Sequence, residues 1–235
     1  MSFWNAASLF FLLRPSHGSS SRRVHQADYT MTDLYLLKRA NACPGMDGDW
    51  DSPAWAMAET LELTHFRPEG SDHRPRTFVR LLYDAEGISG IFRVEDRYVL
   101  SRLLQHGDPV YKDSCVEFFV RPKEGRGYFN FEFNAGGRLL CSYIVDPARA
   151  EGGFKEFSLL PQDDAGQVRI CHSLPPEIGT EIPHPVVWTL EFFVPLSLLE
   201  KYAGRIGNPA GTEWRANFYK CADGSSHPHW ASWQQ

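Results

Sequence analysis

The sequence of 235 residues lacks the patterns that mark several common enzyme classes. It has no Gly-x-Gly-x-x-Gly or Walker-type phosphate loop and no Gly-x-Ser-x-Gly nucleophile elbow. It also has no internal repeat and no long amphipathic stretch of helical period. The sequence therefore gives no support for a dinucleotide-binding enzyme, a phosphate-loop enzyme or an α/β-hydrolase.

Cysteines are few, and their spacing forms no recognisable framework. There is no Cys-x-x-Cys pair, and an odd number of cysteines does not fit a set of disulfides or a zinc ribbon. The five are Cys43, Cys115, Cys141, Cys171 and Cys221. The odd number of cysteines and the lack of a disulfide framework slightly favour a reducing, cytoplasmic location over a secreted one.

Basic residues do not form a patch either. The net charge is −5 and the pI is near 6.0, and Lys and Arg cluster only at residues 22–23 and 74–76. A nucleic-acid-binding domain usually carries a basic footprint. We therefore expect no nucleic-acid partner.

The N-terminus carries an apolar run that is too short to cross a membrane. Residues 3–13 are apolar, whereas a spanning helix needs about 20 residues. No basic residue precedes the run, which argues against a standard signal peptide. We expect residues 1–30 to be a disordered or mis-assigned extension, with the true start at Met31. A signal or anchor, or an ordered structural role, stays open.

Short strand patterns dominate the rest of the chain, which is 43% hydrophobic and 14% aromatic. Short helices are expected only at residues 54–59 and 196–202. Strands are expected at residues 78–83, 88–95, 115–120, 128–134, 138–145, 168–173, 186–194, 214–220 and 230–233. Roughly nine short strands joined by turns predict an all-β fold, an antiparallel β-sandwich with one or two short helices.

The hairpin at residues 110–137 has the clearest alternation. Residues 129, 131 and 133 are Phe, while the residues between and beyond them are Asn130, Glu132 and Asn134. Because a strand turns successive side chains to opposite faces, one face is apolar and the other carries amides and a carboxylate. The polar face is either a binding surface or a solvated one.

Four stretches resemble, in the same order, the motifs of carbohydrate-binding module family 9, a group with a DOMON-like β-sandwich. The central one joins residues 113–119 to residues 128–134. The others are residues 46–55, residues 80–84 leading into 90–96, and residues 214–220 with the Ser-Trp pair at 232–233. The resemblance implies one sandwich domain over residues 31–235. Relatives usually continue past the Ser-Trp pair, so we expect the domain to lack its closing C-terminal strand.

The resemblance also implies a slot in which two aromatic rings hold a mono- or oligosaccharide. Carried over residue by residue, the rings are Tyr111 and Trp233, and the rim is Glu117, Glu132 and Asn134. Some members carry arginine at the position of Glu132, which puts the preferred sugar in doubt. Trp233 also fits a place in the core.

An enzymatic alternative stays open at the same hairpin. Glycoside hydrolases use two carboxylates, and Glu117 and Glu132 would face each other across the hairpin if its strands are in register. Nothing in the sequence marks one of them as the proton donor. We therefore prefer a non-catalytic carbohydrate-binding protein, and the alternative function is a carbohydrate-active enzyme that uses Glu117 and Glu132.

Family 9 modules carry structural calcium, and one turn could supply its ligands. Asp47, Asp49 and Asp51 place three carboxylates within five residues, as a hard cation requires. An Asx-rich turn that caps its own backbone is an equal alternative. Haem is not expected, because all four methionines lie in the first quarter of the chain.

Overall fold

The computed structural model describes residues 10–14, 34–40, 44–125, 127–151 and 153–235. The remainder of the predicted N-terminal extension lies outside the described residues, as does Cys43. The strands are β1 (Phe10–Arg14), β2 (Leu34–Arg39), β3 (Leu61–Glu62), β4 (His65–Phe66), β5 (Arg76–Tyr83), β6 (Gly87–Asp96), β7 (Val99–Ser101), β8 (Cys115–Arg121), β9 (Tyr128–Asn134), β10 (Leu139–Ala150), β11 (Gly153–Leu159), β12 (Arg169–His172), β13 (Ile178–Ile182), β14 (Val186–Pro195), β15 (Glu213–Cys221) and β16 (Trp230–Ser232).

Helices are few in the described part of the chain. The α-helices are α1 (Gln162–Ala165) and α2 (Leu196–Ala203), and 3-10 turns cover Pro53–Trp55 and Val110–Lys112. The short helix expected at residues 54–59 is thus only a single 3-10 turn. Among the described helices, none is long and apolar enough to cross a membrane.

The main sheet runs in the order β11-β10-β9-β8-β15-β1-β2-β5-β6-β14-β12. Only the β1–β2 and β2–β5 pairings of this path are parallel. Phe192 of β14 stacks on Phe118 of β8 at a centroid distance of 5.5 Å, and on Phe133 of β9 at 5.1 Å. Strands far apart in the order therefore pack face to face, and the predicted all-β antiparallel sandwich is confirmed.

The nine predicted strands are all present, but the structure adds several that the sequence pattern did not show. The sequence pattern predicts no strand between residues 145 and 168, whereas β10 continues through Pro147 and pairs with β11. Strand β11 is largely exposed and lies at the edge of the sheet. It therefore lacks the alternation of buried and exposed residues by which a strand is recognised.

Part of the expected N-terminal extension belongs to the sheet. The backbone of β1 pairs antiparallel with β15 and parallel with β2, so it occupies an interior position in the strand order. The prediction that residues 1–30 lie outside the domain is therefore corrected for residues 10–14.

The C-terminal strand is paired on both sides. β16 lies between β15 and β4, and the residue that follows it, Trp233, is only 7% exposed. The Trp233 N–H donates to the carbonyl of Phe218. Where the resemblance predicts that a closing strand is missing, the two-residue strand β4 pairs with the other edge of β16.

Candidate functional site

Strands β8, β9 and β15 turn a row of polar side chains away from the aromatic core. In the observed register Glu117 lies directly opposite Glu132 on β9 and Tyr219 on β15. The next positions pair Cys115 with Asn134 and with Cys221. We call this surface the polar face; it comprises Cys115, Glu117, Asn130, Glu132, Asn134, Tyr219 and Cys221.

The polar face is recessed rather than solvated. Glu117 is 3% exposed, Asn130 4% and Glu132 6%. Burying carboxylates is costly unless they find partners. The interpretation of this face as merely solvated is therefore wrong, and its charged groups need an explanation.

Burial is the main influence on both carboxyl groups. It raises the pKa of Glu117, and the negative charge of Asp223 raises it further. Burial likewise raises the pKa of Glu132 well above its usual value, with a second contribution from the charge of Glu117. Two adjacent buried carboxyl groups of this kind oppose each other's ionisation.

Hydrogen bonding on the polar face is incomplete. Asn130 Nδ2 donates to Glu132 Oε1 at 2.6 Å, and the Cys221 thiol donates to Glu117 Oε1 at 3.0 Å. Among the described residues, no partner meets the buried atoms Glu132 Oε2 and Asn130 Oδ1. Buried polar atoms are nearly always hydrogen-bonded in folded proteins. The two atoms are therefore open to a partner from outside the described residues.

Two aromatic residues border the polar face. Tyr111, in the 3-10 turn, and Trp230, the first residue of β16, are half-buried and pack against the same small cluster, which includes Cys115 and Cys221. Asp223 ties them together: its N–H donates to the Tyr111 carbonyl at 3.2 Å, and its carboxylate accepts from Trp230 Nε1 at 2.6 Å. Both residues are thus anchored while part of each stays exposed.

Trp233 does not reach this face. Ser232 pairs with Tyr219, so Trp230 and Ser232 point to the polar face and Trp233 points to the other side. Its ring packs against Tyr35 at 6.5 Å and Phe218 at 6.0 Å in the main core. The structure assigns Trp233 to the core, and it places Trp230, which sequence reasoning missed, beside Tyr111.

Asn134 lies on the polar face, but its amide forms hydrogen bonds within the protein. Its Nδ2 donates to the Leu103 carbonyl and to Asp113 Oδ2, both at 3.0 Å, and its Oδ1 accepts from the Arg138 N–H at 2.8 Å. The side chain is fully buried. Asn134 therefore holds two loops together. Asn130 is the amide of β9 whose Oδ1 has no described hydrogen-bond partner.

The acidic turn of Asp47, Asp49 and Asp51, the predicted calcium ligands, forms hydrogen bonds with its own backbone. Asp47 Oδ1 accepts from the N–H of Asp49, and Asp49 Oδ1 accepts from the N–H of Asp51, both at 2.9 Å. All three side chains are exposed. Asp47 and Asp49 thus cap the backbone of the turn as Asx turns do, and within the described chain the three carboxylates do not converge on one point.

A second polar cluster lies within the sandwich and is internally neutralised. The Lys220 ammonium donates to His229 Nε2 at 2.9 Å and lies 3.4 Å from Asp96 Oδ2. His73 Nε2 donates to Asp96 Oδ1 at 2.8 Å. Burial alone would raise the pKa of Asp96, but Lys220 and His73 hold it below its usual value. Burial and the charge of Lys220 lower the pKa of His229 to about 3. Because its charges are matched, this cluster is a structural element of the interior.

A shallow cleft on another part of the surface has a volume of about 590 Å³ and lies beside α2. Its acidic residue Glu200 accepts the N–H groups of Ile206 and Gly207 through Oε1. That oxygen is therefore occupied by the adjoining loop. The polar face is the stronger candidate site.

An all-β sandwich with a recessed polar face and bordering aromatic rings has the architecture of a carbohydrate-binding module. The model of carbohydrate-binding family 9 matches residues 56–235, and the chain belongs to this family. The resemblance predicted from the four motifs is confirmed.

Three solved structures are similar to the chain to different degrees. A "putative carbohydrate-binding protein" from Bacteroides uniformis is 28% identical, with a TM-score of 0.66 over 75% of this chain and 77% of that one. Family 9 modules from Caldicellulosiruptor kristjanssonii are similar at greater distance. The complex with glucose is 15% identical with a TM-score of 0.49, covering 83% of each chain. The complex with cellotriose is 13% identical with a TM-score of 0.47, covering 83% of this chain and 82% of that one. No curated protein sequence is significantly similar to the chain.

Proposed function

We propose that the protein binds a neutral mono- or oligosaccharide on the polar face, between Tyr111 and Trp230. The observation that carries the proposal is the pair of buried atoms without a partner in the described chain, Glu132 Oε2 and Asn130 Oδ1. They belong to neighbouring side chains joined by a hydrogen bond. A ligand with two adjacent hydroxyl groups would meet both atoms at once.

The chemistry of the face favours a neutral sugar. A carboxylate oxygen and an amide oxygen are acceptors, and sugar hydroxyls can donate to both. Glu117 and Asp223 act on Glu132 as neighbouring negative charges, and Arg149 acts in the opposite sense. The face thus has no large excess of positive charge that would select an acidic sugar.

The aromatic border supplies the second half of sugar recognition. The axial hydrogens of a pyranose form a weakly apolar face that packs on an aromatic ring, and Tyr111 and Trp230 each present a partly exposed ring. The hydrogen bonds of Asp223 hold both residues before a ligand arrives. Such preorganisation reduces the entropy lost on binding.

The arrangement of Glu117 and Glu132 argues for binding without hydrolysis. Hydrolytic carboxylates flank the scissile bond. These two extend side by side from adjacent strands of one face, with Cβ atoms about 5 Å apart for directly opposed residues. Both would therefore approach a sugar from the same side.

Calorimetric titration with a panel of neutral and acidic saccharides tests the proposal. We expect the wild type to bind at least one neutral sugar at millimolar concentration or below, without releasing product. Glu132→Gln keeps the shape of the side chain but puts an amide NH2 group where the acceptor Oε2 stands, and it should weaken binding about tenfold, since an unmade buried hydrogen bond costs about 1–3 kcal/mol.

The matched control is Glu213→Gln, which changes an exposed glutamate of β15 and should bind as the wild type does. A panel of sugars without any heat of binding would refute the proposal. Turnover of a glycoside that Glu132→Gln abolishes would instead establish the enzymatic alternative.

A further inference from the structure

We propose that Cys115, Cys221 and Glu117 form a binding site for a soft divalent cation of the zinc class. The two cysteines lie directly opposite each other on β8 and β15. Glu117 follows Cys115 by two residues and so shares its face of the sheet. The inference does not depend on sugar binding.

The donor atoms are already close together. Cys221 Sγ lies 3.0 Å from Glu117 Oε1, the two thiols are within hydrogen-bonding reach, and all three donors lie within 4.8 Å of one another. Tetrahedral zinc, with bonds of about 2.3 Å to sulfur and 2.0 Å to oxygen, separates its sulfur ligands by about 3.8 Å and sulfur from oxygen by about 3.5 Å. Small side-chain rotations therefore convert the cluster into three tetrahedral ligands, with water in the fourth position.

The charge balance also favours a cation. Neither Glu117 nor Glu132 forms a salt bridge within the described part of the chain, although both are buried. A buried carboxylate without a partner of opposite charge is costly. Arg67 and Arg149 act on the two carboxyl groups without a described salt bridge to either, and a bound divalent cation would supply a direct positive partner.

The interior cluster provides a contrast within the same molecule. His73, Asp96 and His229 also bring three potential ligand atoms together. There the Lys220 ammonium lies 3.4 Å from Asp96 and 2.9 Å from His229, so the chain supplies its own cation. At the cluster around Cys115 and Cys221, by contrast, the Lys220 ammonium meets only the backbone carbonyl of Cys221, at 3.1 Å, and no described salt bridge reaches Glu117.

The donor set selects the kind of metal. Two sulfur ligands prefer soft or borderline ions such as Zn²⁺ or Co²⁺ over Ca²⁺ or Mg²⁺. Each thiol must lose its proton to bind as a thiolate. Binding of one metal ion therefore releases two thiol protons to the buffer.

Cobalt titration of the full chain, with thiols kept reduced and other metals removed, tests the inference. We expect one Co²⁺ to bind, with a near-ultraviolet thiolate-to-cobalt absorption band that Zn²⁺ displaces. Calorimetry in buffers of different ionisation enthalpy should give about two protons released per Zn²⁺. An absent band, or a band that Ca²⁺ displaces as well as Zn²⁺ does, would overturn the inference.

Variants identify the ligands. Cys221→Ala should lose the band, while Cys171→Ala, which changes a half-buried cysteine elsewhere, should keep it. Glu117→Gln keeps both thiols and should bind Co²⁺ about tenfold more weakly, which covers the case in which Cys221→Ala does not fold. Loss of the band in Cys171→Ala, or unchanged affinity in Glu117→Gln, would contradict this ligand set.

Discussion

Trp230 and Trp233 stand three residues apart at the end of the chain, yet they lie on opposite sides of the sheet. Trp230 is in register with Cys221 and borders the polar face, whereas Trp233 packs against Tyr35 and Phe218 in the core. Because side chains alternate along a strand, an odd separation puts two residues on different faces. The two tryptophans therefore have separable roles.

Replacing each tryptophan should separate binding from stability. Trp230→Ala should weaken sugar binding about tenfold or more, as loss of an interface aromatic typically does, with a small change in melting temperature. Trp233→Ala removes a buried ring and should cost about 3–5 kcal/mol of folding free energy. Calorimetry and chemical denaturation of both variants measure the two effects. Equal losses of folding free energy in Trp230→Ala and Trp233→Ala would contradict the placement of Trp233 in the core and of Trp230 at its border.

Removing the N-terminal strand should destabilise the sheet. A protein that begins at Met31 lacks β1 and leaves backbone groups of β2 and β15 without their observed partners. Its melting temperature should fall by about 5 °C or more, since about 1 kcal/mol shifts a domain of this size by about 2–4 °C.

A proline within β1 gives an independent check of the same strand. Proline cannot donate to a sheet and is not tolerated in an interior strand, so Phe11→Pro in the full chain should lower the melting temperature in the same direction. Melting temperatures equal to that of the wild type in both proteins would show that β1 adds no stability.

Asn134 should matter for folding rather than for binding. Asn134→Ala removes three hydrogen bonds and leaves Asp113 and the Arg138 N–H short of a partner. We expect a loss of about 2–4 kcal/mol, because unsatisfied buried groups cost about 1–3 kcal/mol each. Asn208→Ala, at an exposed asparagine, is the control and should be nearly neutral. If Asn134→Ala is fully folded and yet binds sugar more weakly, Asn134 contributes to binding and the prediction is wrong.

The buried histidine should make stability depend on pH. Burial and Lys220 lower the pKa of His229 to about 3, while an unfolded histidine has its usual pKa of 6.5. Between these values the unfolded chain binds the extra proton, so this group removes stability as the pH falls. Asp96, whose pKa is lowered, acts in the same direction only below its unfolded pKa of 3.8. Two further histidines contact His229: its ring meets that of His73 edge-on at a centroid distance of 5.0 Å, and its Nδ1 donates to the His227 carbonyl at 2.9 Å.

Comparison with His229→Gln isolates this contribution, because other carboxyl groups titrate in the same range. From pH 6.5 to 4.5 the wild type should lose about 2 kcal/mol more unfolding free energy than the variant. Denaturation curves at the two values measure the difference. A difference that stays constant with pH would show that His229 titrates normally in the folded protein.

The sequence predicted much of the fold because its main strands alternate strictly. Phe131 and Phe133 entered the core and Glu132 faced away from it, as the period of two requires. Strands β1 and β11 were missed for a physical reason. Their pairing depends on partners distant in sequence or on an exposed edge, and neither leaves a local pattern.

The candidate site was less predictable. Trp230 and Ser232 pair with Cys221 and Tyr219, so side-chain alternation places Trp230 on the polar face and Trp233 on the opposite one. The Ser-Trp motif instead predicts Trp233 as the binding aromatic, and this pairing is not visible in the sequence. The amides of Asn130 and Asn134 look alike in sequence. Only the hydrogen bonds that Asn134 donates to Asp113 and Leu103 show that its amide serves the fold.

The central claim is that a sugar binds beside Trp230, and the indole N–H signals of the protein test it most directly. In a nitrogen-15 correlation spectrum, titration with a neutral saccharide should shift the Trp230 signal, identified from its absence in Trp230→Ala. The signals of the buried Trp188 and Trp214 should stay in place, since both are enclosed in the core. A saccharide that binds while leaving the Trp230 signal unmoved would contradict the account.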